Sequence, residues 1–274
     1  KTEEQINAIK EKSLTYLKLN KMLLELYRGG DYDVKNLDIL NKALMLAPLD
    51  STLWNYRSKI LNINFSQELV NLELGFTVKA LSLNPKIYTV WDYRRLLVQL
   101  LNEKNLLVLQ TEMDFINSIL KKDGRNFHCW NYRRFLANLL TGKPAFESDL
   151  EDTDWLIKKD FSNYSAFYQR YLCFQNFEKH TEKKTEMEFI KECLQIAPND
   201  ESLWTYFSLI CGKEDLQFVD ELIQTLGEDD ARPFIYKAKI CFQLGLKEEF
   251  QEAKEDLKKI KGVLQEGIVK EVLG

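Results

Sequence analysis

Apolar residues recur along the chain with the spacing of amphipathic helices. The clearest segments are LDILNKALML, NLELGFTVKALSL, LQTEMDFINSILKK, ESDLEDTDWLIKK and EMEFIKECLQI. In each of them, apolar positions at i, i+3, i+4 and i+7 fall on one face of a helix and polar positions cover the other. The pattern predicts an all-α protein whose helices each bury one face against a neighbour.

A second set of helical segments alternates with the first, and an aromatic residue stands at the head of each. These residues are Trp54, Trp91, Trp130, Phe167 and Trp204. Their spacings of 37, 39, 37 and 37 residues describe one period with a single small insertion. Such regular self-similarity is typical of a repeat array.

A proline lies six residues before the aromatic in three copies, at Pro48, Pro85 and Pro198. Proline fixes φ and lacks an N–H, so one helix ends there and the next begins within a few residues. Each repeat is therefore predicted to be a helical hairpin that buries its apolar face only by stacking on its neighbours. The predicted fold is a right-handed α-α superhelix, a crescent-shaped solenoid of hairpins of about 37 residues.

The predicted domain organisation is a single domain over residues 1–274. Residues 1–32 form a lead-in helix, residues 33–210 form the five hairpins marked by tryptophan and arginine, and residues 211–274 form degenerate capping hairpins. The low content of helix breakers, 11 Gly and 5 Pro in 274 residues, agrees with long helices and short turns.

Charge and cysteine content exclude several classes of function. A formal net charge of −4 gives no positive field for nucleic acid. No segment has the ~20 consecutive apolar residues of a transmembrane helix, and the charged N-terminal segment lacks the apolar core of a signal peptide. The five cysteines include no CxxC pair, which favours buried reduced thiols over a metal site on this chain. We expect a cytoplasmic protein.

Arginine is as concentrated in the repeats as tryptophan is. Six of the nine arginines follow a repeat aromatic by three or four residues: Arg57, Arg94, Arg95, Arg133, Arg134 and Arg170. Two interpretations are open. The arginines either stack on the aromatic rings and bind helix ends inside the array, or they form an inner rim that faces a partner or an anion. The candidate residues for a partner interface are Trp91, Arg94, Trp130, Arg133 and Arg134.

The Trp-x-Tyr-Arg-Arg hairpin at this period resembles the repeat of the protein prenyltransferase α subunits over about residues 45–210. Within that family, the segment RNFHCWNYRRF at residues 125–135 is most similar to the branch that transfers geranylgeranyl groups to Rab GTPases. The α subunit shared by farnesyltransferase and type I geranylgeranyltransferase is expected to carry Lys-Asn-Tyr turns and a His-Arg pair after the tryptophan. This chain has Asp-Tyr-Arg-Arg and Asn-Tyr-Arg-Arg there instead.

The resemblance implies a transferase divided between two chains. An obligate β subunit would carry the zinc ion and most of the isoprenoid pocket, and this chain would need no cofactor of its own. Geranylgeranyl diphosphate would be the co-substrate at the interface. The acceptors would be C-terminal cysteines of Rab GTPases, presented by a Rab escort protein.

The resemblance also implies which residues reach the chemistry. Lys86, in the turn Pro85-Lys86-Ile87-Tyr88, matches the family lysine that contacts the prenyl diphosphate. Tyr88 and His128 occupy equivalent turns and are further catalytic candidates, whereas Arg125 and Tyr164 are weaker substrate-binding candidates. Without the resemblance, Lys86 would be an ordinary solvated turn lysine and His128 a turn-capping or interface histidine.

Two other functions remain open from the sequence. One is the α subunit of farnesyltransferase and type I geranylgeranyltransferase. However, Thr89 stands where those CaaX-reading relatives carry a glutamine that helps to bind the substrate carboxylate. The other is a non-enzymatic scaffold of the TPR type, although TPR repeats have a shorter period and no Trp-x-Tyr-Arg pattern.

Overall fold

The architecture comes from a computed structural model, which describes residues 2–176, 180–227 and 230–260. The described residues form helices and turns without a strand, which confirms the all-α prediction. The helices are α1 (Glu3–Arg28), α2 (Asn36–Leu46), α3 (Ser51–Ile63), α4 (Gln67–Leu83), α5 (Tyr88–Glu103), α6 (Leu109–Lys122), α7 (Phe127–Thr141), α8 (Asp149–Lys159), α9 (Tyr164–Asn176), α10 (His180–Ile196), α11 (Glu201–Ile210), α12 (Leu216–Leu226), α13 (Arg232–Gln243) and α14 (Lys247–Lys259). A short 3₁₀ turn, Lys213–Asp215, precedes α12.

Asparagine and aspartate side chains fix where the second helix of several hairpins begins. The Oδ1 atom of Asp50 accepts hydrogen bonds from the backbone N–H groups of Thr52 and Leu53 at the start of α3. Asp200 caps α11 in the same way, and Asn126 and Asn163 cap α7 and α9. Such caps satisfy backbone donors that a first helical turn leaves unpaired.

The repeat tryptophan binds its helix to the turn that precedes it. Each indole Nε1–H donates to the carbonyl oxygen six residues earlier, at distances between 2.7 and 2.9 Å. The acceptors for Trp54, Trp91, Trp130 and Trp204 are Pro48, Pro85, Gly124 and Pro198. The sequence positions of the proline and the tryptophan thus correspond to one hydrogen bond repeated along the chain.

Neighbouring turns in the first part of the chain are also joined to each other. The hydroxyl of Thr89 donates to the carbonyl oxygen of Pro48 at 2.6 Å, and the Asn126 amide donates to that of Pro85 at 3.2 Å. Each of these carbonyl oxygens therefore accepts two hydrogen bonds, one from its own repeat and one from the next. As a result, the turns before α3, α5 and α7 lie side by side along one edge.

The chain divides into two compact units, residues 1–140 and residues 141–274. Helices α1 to α7 belong to the first unit apart from the last residue of α7, and α8 to α14 belong to the second. In the second unit, α13 packs on both α12 and α14, within the segment predicted to cap the array. Residues 261–274 of that predicted cap lie outside the described residues. The single-domain organisation and its subdivisions remain predictions.

Candidate functional site

The repeat arginines lie in the interior of the units and bind buried glutamates. Arg94 forms a bidentate pair with Glu112, with Nε–Oε2 and Nη2–Oε1 distances of 2.9 and 2.8 Å. The hydroxyl of Tyr132 donates to the same carboxylate at 2.7 Å. All three side chains are almost completely buried. We call this arrangement the Arg–Glu–Tyr triad.

The triad recurs with the period of the repeat. Arg57, Glu73 and Tyr93 form another copy in the first unit, and Arg170, Glu186 and Tyr206 form one in the second. The guanidinium of each arginine also lies over a phenylalanine ring, at 4.0 Å for Arg57, 3.9 Å for Arg94 and 5.2 Å for Arg170. Burial, followed by the adjacent carboxylate, raises the pKa of each triad tyrosine well above its usual value. These tyrosines are therefore hydrogen-bond donors and not anions.

Burial corrects part of the predicted partner interface. Trp91, Arg94, Trp130 and Arg133 are each at most 2% exposed in the isolated chain, so they do not contribute to its surface. Of the two interpretations of the arginines, packing inside the array holds for these residues. Arg134 is only half-buried and donates to the Asn131 side chain at 2.6 Å, so its interface role remains a prediction.

Lys86 lies in the exposed turn between α4 and α5. The Oδ1 atom of Asn84 accepts a hydrogen bond from the Lys86 backbone N–H at 3.1 Å, which shapes the turn. The Lys86 side chain is 67% exposed, and its Nζ atom lies 3.5 Å from Oδ2 of Asp123, in the turn before α7. The ammonium group of one repeat therefore lies against the turn of the next.

His128, in the first turn of α7, lies close to the charge of Lys86. Its pKa is lowered below the usual value, mainly by burial and then by the positive charge of Arg95. Asp92 opposes this shift, and the charge of Lys86 adds a smaller lowering effect. Arg95 is held by an ion pair with Asp92, with an Nη1–Oδ1 distance of 2.7 Å. The charges of Lys86 and Arg95 therefore both act on His128, and we call these three residues the basic turn cluster.

The other predicted site residues are exposed at helix starts or turns. Tyr88 is the first residue of α5, two residues after Lys86, and is 55% exposed. Arg125 is exposed in the turn before α7, where its backbone N–H donates to Asp123. Tyr164 begins α9 in the second unit, is 51% exposed and stacks near Tyr168 with 6.4 Å between ring centroids. The structure thus places Lys86 and Arg125 in neighbouring turns, and Tyr88 and His128 in the first turns of the helices that follow them.

Comparison with known proteins agrees with this arrangement of hairpins. A model of the protein prenyltransferase alpha subunit repeat matches residues 70–101, 109–140 and 184–214. These matches coincide with the hairpins α4–α5, α6–α7 and α10–α11. In these three hairpins the chain is similar to the repeat of the protein prenyltransferase alpha subunits.

Curated relatives within this family are geranylgeranyl transferase type-2 alpha subunits. The Bos taurus protein is 32% identical over 238 residues, which cover 79% of this chain and 41% of the relative. The Saccharomyces cerevisiae protein is 28% identical over 239 residues, which cover 80% of this chain and 73% of the relative. The chain thus spans less than half the length of the mammalian relative.

A solved structure shows the same fold. It is a chain of the Candida albicans protein geranylgeranyltransferase-I complexed with GGPP, with a TM-score of 0.76 and 23% sequence identity. The match covers 90% of this chain and 85% of that chain. The helical hairpin fold predicted from the repeat is therefore confirmed.

Sequence reasoning missed two members of the site region. Asp123 was not singled out; it lies 39 residues after Asn84, the spacing that separates Trp91 from Trp130. Arg95 was counted only among the repeat arginines, but it follows the buried Arg94 by one residue and so projects from a different part of the helix. The repeat places Asp123 at the position of Asn84 and Arg125 at that of Lys86, so the spacing alone does not indicate a pair between Lys86 and Asp123.

The described residues contain no group of three or more potential metal ligands, and no described helix is long and apolar enough to cross a membrane. All five cysteines are free, and four of them are buried. Burial raises the pKa of the Cys129 and Cys193 thiols, which keeps them protonated at neutral pH.

We expect Arg95→Gln to raise the pKa of His128 toward its usual value. The substitution removes a positive charge that disfavours the imidazolium form, while burial continues to lower the pKa. Titration of the histidine ring protons by NMR would measure the change, and His180 of the same chain serves as an internal control. A His128 pKa that stays constant or falls in the variant would contradict the electrostatic contact.

Proposed function

We propose that this chain is the alpha subunit of a geranylgeranyltransferase of type II. It would act with a separate β subunit to transfer geranylgeranyl from its diphosphate to C-terminal cysteines of Rab GTPases. The observation that carries the proposal is the similarity over about four-fifths of the chain to alpha subunits named as type 2. The basic turn cluster supports it, because a diphosphate needs cationic groups at an exposed surface.

In the proposed reaction, the Lys86 ammonium stabilises the departing diphosphate. Negative charge grows on the diphosphate as its bond to the isoprenoid carbon breaks, so a nearby cation lowers the energy of the transition state more than that of the bound substrate. Lys86 is suited to this role because its side chain is 67% exposed and its turn lies beside that of the next repeat.

Tyr88 and His128 would assist Lys86. Tyr88 is exposed two residues after Lys86 and carries a hydroxyl that can donate to a diphosphate oxygen. His128 has a lowered pKa, so it is neutral at pH 7 and can donate through one ring nitrogen without adding a charge. Arg125 and Tyr164 remain weaker candidates for contact with the substrate.

The zinc ion and the acceptor cysteine belong to the β subunit and the Rab protein in this proposal. In the complex of the two subunits, a zinc-bound thiolate would supply the nucleophile. This chain would contribute the diphosphate contact and the support for the β subunit. The reaction would take place in the cytoplasm, with the Rab GTPase presented by an escort protein.

Thr89 favours an enzyme that does not read a CaaX peptide. It is only 9% exposed, and its hydroxyl donates to the carbonyl oxygen of Pro48 at 2.6 Å. The side chain is thus engaged in joining two turns and is not available to a substrate carboxylate. This supports the type II assignment over the type I and farnesyl enzymes.

Co-expression with candidate β subunits tests the proposed function. The purified complex would be assayed with geranylgeranyl diphosphate and two acceptors, a Rab–escort complex and a CaaX peptide. We expect transfer to the Rab protein only. Transfer to the peptide would assign the chain to the other branch, and a chain that binds peptides but no β subunit would be a scaffold.

Lys86→Ala is expected to lower kcat of the complex about tenfold, which corresponds to ~1.4 kcal/mol of transition-state stabilisation. Assembly with the β subunit should be unchanged, because the side chain is exposed and outside the buried triads. The matched control is Lys35→Ala, which removes another exposed turn lysine that pairs with an aspartate. Loss of assembly with normal turnover per complex would contradict the assigned role.

A further inference from the structure

Asp123 is the acidic group that faces the Lys86 ammonium. It follows α6 and belongs to the turn before α7, whereas Lys86 belongs to the turn before α5. The Nζ–Oδ2 distance is 3.5 Å, so the ion pair spans two consecutive repeats. Ion pairs of this exposed kind contribute little to folding stability.

The Asp123 carboxylate is held in a fixed position by its own turn. Its backbone N–H donates to the carbonyl oxygen of Ile119 at 2.9 Å, and its own carbonyl oxygen accepts from the N–H of Asn126 at 3.1 Å. Its Oδ1 atom accepts from the N–H of Arg125 at 3.2 Å. One carboxylate oxygen is therefore bound by the turn, which leaves Oδ2 directed toward Lys86.

The Lys86 side chain, by contrast, needs an external constraint. Its turn is shaped at the backbone by Asn84, but four rotatable bonds separate the ammonium group from that backbone. At 67% exposure, the side chain has solvent on most of its surface. Without a partner, the ammonium would occupy many positions, and only a small fraction of them would serve a bound diphosphate.

We propose that Asp123 is a positioning residue that holds the Lys86 ammonium on the side of the turn where His128 lies. The inference rests on the proposed function of Lys86. In this arrangement the carboxylate acts on the substrate only through the lysine.

A carboxylate that positions the lysine is expected to favour catalysis and at the same time to disfavour binding of the substrate. Asp123 repels the diphosphate, so its removal should not weaken binding of the prenyl diphosphate even though it releases the ammonium. For Asp123→Asn we expect kcat to fall about three- to tenfold, with a KM for geranylgeranyl diphosphate that is unchanged or lower. Asparagine keeps the acceptor for the Arg125 N–H, so the turn should stay intact.

A double-mutant cycle with the αβ complex tests the proposal. Asp123→Asn is introduced into the wild-type chain and into Lys86→Ala, and kcat and KM are measured with geranylgeranyl diphosphate and the Rab–escort complex. If Asp123 acts through Lys86, its replacement has no further effect on kcat in the Lys86→Ala background. Equal losses in both backgrounds, or an unchanged or higher kcat in Asp123→Asn alone, would overturn the proposal.

The conservative variant and a matched control complete the experiment. Asp123→Glu restores the negative charge and should recover part of the lost kcat. Asp33→Asn alters a similar aspartate, which accepts from the N–H of Lys35 and pairs with its ammonium at 3.0 Å, and should leave kcat unchanged. If Lys86→Ala itself has a normal kcat, the proposed role of Lys86 fails. If Lys86→Ala is slow but Asp123→Asn is not, only the role of Asp123 fails.

Discussion

Glu112→Ala should lower the free energy of unfolding of the chain by about 3–5 kcal/mol, since it leaves the Arg94 guanidinium buried without its counter-ion. Arg94 is 1% exposed and would keep only neutral partners, the Thr77 hydroxyl at 2.6 Å and the Leu74 carbonyl oxygen at 3.2 Å. The Tyr132 hydroxyl would lose its acceptor at the same time. Denaturant unfolding followed by circular dichroism would measure the loss.

Two comparisons separate the charge effect from the loss of side-chain volume. Glu112→Gln keeps the shape of the side chain and an acceptor for Tyr132, so it should cost less than Glu112→Ala. Asp92→Ala breaks the exposed pair with Arg95 and should cost under about 1 kcal/mol. Equal losses in Glu112→Ala and Asp92→Ala would show that burial of the triad has no energetic consequence.

The repeat could be predicted because its rarest residues occupy geometrically equivalent positions. Tryptophan and proline are scarce, so a spacing of 37 residues is easily seen, and both residues belong to one hydrogen bond between indole and turn carbonyl. The triad glutamates could not be identified in the same way. Glu73, Glu112 and Glu186 are three of 42 acidic residues, and nothing local distinguishes a buried carboxylate from a solvated one.

The site was predicted only in part for a similar reason. Lys86 was identified through a family resemblance, and its position in an exposed turn agrees with that role without testing it. Asp123 was missed because its relation to Lys86 spans two repeats and depends on the stacking of their turns. Conversely, the sequence leaves open whether Arg94 and Arg133 face a partner or pack inside the array, and their burial shows that they pack inside.

The triads are similar but not identical, which limits prediction from the repeat itself. The Nη1 atom of Arg94 has Thr77 as a partner, and that of Arg170 has Thr153. Leu40 lies at the corresponding spacing before Arg57, and the Nη1 atom of Arg57 has no hydrogen-bond partner. The first triad therefore lacks the hydrogen bond from arginine to threonine that the other two have. This difference becomes visible only when the three triads are compared in the structure.

Trp91→Ala should lower the free energy of unfolding by about 3–5 kcal/mol, the usual cost of removing a buried tryptophan. The indole is 1% exposed and packs against Phe115 and Tyr132, with centroid distances of 5.8 and 5.2 Å. Its Nε1–H also donates to the carbonyl oxygen of Pro85, beside Lys86 in the turn. The substitution therefore removes a large contact area and one hydrogen bond to the candidate site.

Trp91→Phe separates these two contributions, and the chain itself contains a precedent. Phe167 occupies the equivalent position in the fourth copy, where it is 1% exposed and packs on Tyr206 with 4.9 Å between centroids. We expect Trp91→Phe to cost about 1–2 kcal/mol, because most packing remains and Asn126 still donates to the Pro85 carbonyl oxygen. Thermal and denaturant unfolding of both variants would show which of them loses more stability. If Trp91→Phe were as destabilising as Trp91→Ala, the ring contacts would not be what stabilises this repeat, and the indole hydrogen bond to the turn before α5 would account for the effect.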